Sequence, residues 1–91
     1  MQNRSATPEQ ADMLGELLDE WGLLLKELDT KPDIPGDVLE PSRKIRDNLA
    51  RTLRADLQRG IDRVPASELF KAMSIANASI DKLKQIRSGL G

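Results

Sequence analysis

Cysteine, histidine and tyrosine are absent from this 91-residue chain, and Trp21 and Phe70 are its only aromatic residues. Without cysteine there is no disulfide framework and no thiolate nucleophile; without histidine there is no imidazole to serve as general base or metal ligand. Serine or cysteine triads are therefore excluded. Ser42 beside Lys44 reads as a basic helix start rather than a catalytic dyad. No glycine-rich phosphate loop is present, since Gly15 and Gly22 stand alone inside a helical pattern. No run approaches the roughly 20 apolar residues of a membrane span. The first residues, Met1 to Ser5, lead into no apolar stretch, so no signal peptide is expected. The expectation is a cytoplasmic protein that is not an enzyme, with no cofactor, no metal and no membrane partner.

What the chain does have is charge, unevenly placed. Residues 1–40 carry three basic and ten acidic side chains, a net of −7; residues 41–91 carry eleven basic and five acidic, a net of +6. Such a split has two readings. The halves neutralise one another, within a chain or between copies, or an acidic arm accompanies a nucleic-acid-binding half.

Three helices are predicted. Thr7, Pro8 and Gln10 form a capping box with proline at the first helical position, opening an acidic helix over about 8–29. Its apolar stripe includes Leu14, Leu17, Leu18, Trp21, Leu25 and Leu28, within about 100° of arc. Acidic residues such as Asp12, Glu16, Asp19 and Glu20 fill the remainder, and exposed acids of this kind are solvated more often than they hold a cation. Gly15 and Gly22, seven apart on one side, suggest close approach of a neighbouring helix.

Residues 30–41, with three prolines and a glycine, read as a linker. A second helix is expected over about 41–59, with Ile45, Leu49, Leu53 and Leu57 as a slanted stripe, because steps of four drift about 40° each. Gly60 caps it. A third helix over about 65–88 carries Leu69, Met73, Ile80 and Leu83 at heptad spacing. The fold class is thus all-α, an antiparallel helical hairpin (about 41–59 and 65–88) preceded by the acidic helix. The domain layout is a disordered segment over 1–6 and one helical domain over 7–91.

Two aromatics are few for a three-helix core, while Leu23, Phe70, Ile75 and Ile86 fall outside the main stripes. These four are the expected interface of a homo-oligomer. The other conspicuous feature is the basic run on the second helix, with Arg43, Lys44, Arg46, Arg51 and Arg54 as candidate contacts to nucleic-acid phosphates. No aromatic lies among them, which disfavours base stacking. A helix-turn-helix around Gly60 is disfavoured too, because the third helix presents Ala, Ser and Asn rather than a basic face.

Residues 49–86, a leucine-rich helix, the Gly60 turn and the Pro65-Ala66-Ser67-Glu68-Leu69 helix start, resemble the small terminase subunits of short-tailed phages. Gly60, Pro65, Ala66, Leu69 and Ile80 carry the likeness. The resemblance implies a ring-forming adaptor, made in a bacterial host cell, that binds double-stranded viral DNA and hands it to a packaging motor subunit without catalysis of its own. The alternative is a protein–protein interaction module, a regulator or a phage inhibitor of a host system, acting through the acidic first helix and Leu23.

Overall fold

A computed structural model describes residues 4–89. Among these residues it is all-helical: α1 (Pro8–Asp29), α2 (Gly36–Arg59) and α3 (Ala66–Gly89), with a single 3-10 turn at Ile61–Arg63. None of these helices is long and apolar enough to cross a membrane.

α1 starts as its sequence dictates. The Gln10 amide donates to Thr7 Oγ1 at 3.2 Å and the Thr7 amide to Gln10 Oε1 at 2.9 Å, satisfying two donors that would otherwise lack partners. Ala6 and Ala11, one residue before the cap and four into the helix, are both buried in the core. Ala6 is fixed from a second direction. Its amide donates to the Val64 carbonyl at 2.7 Å, and the Ala66 amide donates to the Arg4 carbonyl at 2.8 Å. The disordered segment expected over 1–6 is therefore ordered from Arg4 onward; residues 1–3 lie outside the described part.

α1 is also the centre of the fold. Ala11, Leu14, Leu18, Trp21, Leu24, Leu25 and Leu28 are buried along it, and α3 contributes seven more buried residues. α2 contributes only Leu39, Leu53 and Asp56. Pairings step in the same direction along α1 and α3: Ala6 with Val64, Glu20 with Lys84, Glu27 with Arg87. They step in opposite directions along α1 and α2, where Leu18 meets Arg46 and Trp21 meets Ser42. The core thus sits between α1 and its two neighbours, rather than between α2 and α3.

Two sequence expectations for α2 need correction. The helix begins at Gly36, not near residue 41, and Pro41 lies inside it. A proline in the second turn removes one backbone bond, and the early start places Leu39 at 1% exposure in the core. The connection from α1 shrinks to residues 30–35. Secondly, Ile45 and Leu57 are not core residues; they are 44% and 51% exposed. The drift of the four-residue step accounts for this. It lets Leu49 and Leu53 reach the core while the ends of the stripe turn away.

Gly60 ends α2 with φ of 110°, a conformation that L side chains rarely adopt, and its amide donates to the Asp56 carbonyl at 3.0 Å. The 3-10 turn then delivers Val64 to the core and starts α3.

Candidate interaction surfaces

The five basic residues singled out on α2 separate into two groups. Arg43 and Arg46 turn toward α1. Arg43 pairs with Asp29 of α1 at 3.4 Å and with Glu40 at 3.3 Å. Arg46 donates its Nε–H to the Leu18 carbonyl of α1 at 3.0 Å, and its Nη1 lies 3.5 Å from Asp47. The guanidinium of Arg46 lies across Gly22, where an added Cβ would come within 2.9 Å of it. Gly22 is thus the notch that lets a planar cation cross the helix and reach a backbone oxygen. The close approach expected at the two glycines occurs here through a side chain. At Gly15 nothing lies within 4 Å of an added Cβ, so that glycine admits no neighbour.

Lys44, Arg51 and Arg54 form the second group. They are exposed on the outer side of α2, and none makes an ion pair among the described residues. Lys44 and Arg51, seven residues apart, share one line along the helix, with Arg54 at its edge. Three cations, not five, are available to an external anion. Part of the charge split seen in the sequence is neutralised within the chain, through Arg43–Asp29, Lys84–Glu20 and Arg87–Glu27.

Ser42, beside Lys44, is taken up structurally. It accepts a 2.8 Å hydrogen bond from Trp21 Nε1, so the fully buried indole has its single donor satisfied. The carboxylates of Asp12, Glu16 and Asp19 stay exposed along α1, and no group of three acidic side chains suited to a metal ion occurs among the described residues.

The four apolar residues set aside for an interface also divide. Leu23, Phe70 and Ile75 are 68%, 54% and 41% exposed. Ile86, the fourth residue expected at an interface, is partly buried against the core and presents less of its surface than the other three. Met13, Val38, Ile45 and Leu57 join the exposed set, and sequence periodicity did not single out Met13 or Val38.

Ile75 stands apart because it edges a groove. Between α2 and α3 lies an open apolar trough of about 170 Å³, floored by Leu14 of α1 and walled by Leu49 and Leu53 on one side and Leu69 and Ala72 on the other. Thr52, Asp56, Glu68 and Lys71 supply its polar margin. Asp56 is nearly buried there and pairs with Arg59 at 2.8 Å. No family model, no curated protein and no solved structure matches this chain.

Proposed function

We propose that this protein is a non-catalytic helical adaptor that self-associates and acts by contact with other macromolecules. One observation carries the reading: large apolar side chains remain exposed on every helix although the core beneath them holds a fully covered tryptophan, Trp21. Side chains such as Leu23 and Phe70 have no role in a core already filled, and we assign them to contact surfaces. Native mass spectrometry of the purified protein tests this. Assemblies larger than the 10.1 kDa monomer are expected, and a strictly monomeric protein at high micromolar concentration refutes self-association.

Double-stranded DNA is the contact we propose for the outer edge of α2, through Lys44, Arg51 and Arg54. The support is that these three cations lack internal partners, together with the resemblance of residues 49–86 to small terminase subunits. Binding through so few phosphate contacts is weak and sequence-independent, with a log–log salt slope of about −3. An Arg51→Ala/Arg54→Ala double substitution is expected to abolish duplex binding at low salt and leave assembly intact. Binding unchanged by that substitution eliminates the DNA reading.

A second reading is favoured by Leu23. It is the most exposed large apolar side chain described, and it sits beside the Glu20–Lys84 and Glu27–Arg87 pairs. It supports a protein partner docking on α1. Leu23→Asp separates the two readings, since it removes a protein contact there without touching α2.

A further inference from the structure

Ile75 of α3 lies on the margin of the trough between α2 and α3. Along α2, exposure rises from Leu53 at 8%, through the half-buried Leu49, to Ile45 at 44%. Along α3 it rises from Leu69 at 3% and Ala72 at 9% to Ile75 at 41%. Each helix thus leaves one isoleucine, Ile45 and Ile75, exposed on its flank.

The face of α3 centred on Ile75 has a particular order. Within about 60° and two turns of Ile75 lie Glu68, Lys71, Ala72, Ala78, Ser79 and Lys82. These residues are arranged symmetrically about it. Ala72 and Ala78 are three positions away, Lys71 and Ser79 four, Glu68 and Lys82 seven. An identical helix laid antiparallel across Ile75 would therefore place Ala72 against Ala78, Lys71 against Ser79 and Glu68 against Lys82, with each pairing occurring twice. Equal offsets meet in this way on any helix; what is particular to this chain is that small faces small and acid faces base, as a stable isologous two-fold contact requires. Glu68 and Lys82 make no ion pair within the chain among the described residues. The small residues beside Ile75 allow close helix approach. The antiparallel direction also carries the partner's Lys82 toward the end of the trough where Glu68 and Asp56 lie.

We infer that α3 of a second copy lies across the mouth of this trough, the two α3 helices crossing antiparallel at Ile75. This inference rests on the self-association proposed above and gives it a place and a symmetry. About ten side chains per copy take part, fewer than the twenty to thirty of a standard interface.

The absence of native cysteine makes the test direct. Ile75→Cys, Leu23→Cys and Phe70→Cys are prepared as separate full-length variants and oxidised with diamide at about ten times the dimer midpoint. Because a disulfide needs Cα atoms within about 7 Å, cross-linking at position 75 is expected to run at least about tenfold faster than at 23 or 70. Glu68→Lys and Lys82→Glu are each expected to weaken the dimer about threefold to tenfold, and the double inversion to restore it. Fastest cross-linking at position 23 or 70 overturns this interface while self-association stands. A double inversion as weak as either single change overturns it too. A wild-type protein that sediments as a monomer, with no position cross-linking, removes both proposals together.

Discussion

The two seams of α1 are built from different materials. On the α3 side the contact is apolar: Leu28, Ala76, Ile80 and Leu83 are at most 3% exposed, and the ion pairs lie outside them. On the α2 side the contact rests on specific hydrogen bonds, Trp21 to Ser42 and Arg46 to the Leu18 carbonyl, with few fully buried aliphatic groups. The apolar seam gains free energy in proportion to area and tolerates small shifts. The polar seam depends on particular atoms meeting, because a buried donor left without a partner loses the full desolvation energy.

The largest expected contrast lies between a buried side chain of the α1–α3 seam and the exposed flank of α2. Leu83→Ala, at 2% exposure, is expected to destabilise the fold by about 2–5 kcal/mol. Ile45→Ala on α2 is expected to change stability by no more than about 0.5 kcal/mol, read by urea unfolding at concentrations where the protein is monomeric. Similar losses at the two sites would erase the contrast.

Ser42→Ala probes the polar seam. It removes one oxygen and leaves the Trp21 indole donor buried and unpaired, so a loss of about 1–3 kcal/mol is expected. Tryptophan fluorescence during thermal unfolding reports both the stability and the environment of Trp21. A neutral effect would mean that the hydroxyl is dispensable and the seam is held by packing alone.

The smallest effects come from the two α1 glycines, and they sharpen the comparison at single-atom scale. Gly15→Ala enters open space and is expected to stabilise by about 0.5–1 kcal/mol through helix propensity. Gly22→Ala meets the Arg46 guanidinium and should gain less, or lose. In an Arg46→Ala background the Gly22→Ala gain is expected to recover, a non-additivity measurable by a double-mutant cycle. Identical gains at both glycines would show that Arg46 does not depend on the notch.

The reasons for what the sequence concealed follow the same division. The capping box and the leucine stripe of α1 were legible because both are local signals: hydrogen bonds three residues apart and a period of 3.6. The α3 stripe was legible for the same reason. The start of α2 is concealed, since proline-rich segments ordinarily mark connections; Ile34, Val38 and Leu39 are apolar candidates to tuck this segment against the core, and only the fold decides that Leu39 is buried and Val38 exposed. Ile45 and Leu57 were placed in the core because a four-residue repeat looks apolar along its whole length, whereas a straight neighbour meets only its middle. The charge split offers the basic face of α2 both to phosphates and to the acidic first helix, and Arg43 takes the second course with Asp29; charge alone does not say which cations turn inward. The one clue was Gly22, and it indicated a close approach without identifying a guanidinium. The three outward cations and the Ile75 face are legible as residue types, yet their availability depends on which neighbours the fold leaves them.

The shared direction of α1 and α3 has an electrical consequence. Each helix carries about half an elementary charge of opposite sign at its two ends. Two helices aligned against one opposed leave one such moment uncancelled, directed along the 47 Å long axis of the molecule. The end where α1 and α3 begin is the positive pole of this backbone moment. Each copy is thus a small bar magnet in electrostatic terms, and placing two head to tail side by side extinguishes the moment that either would carry alone.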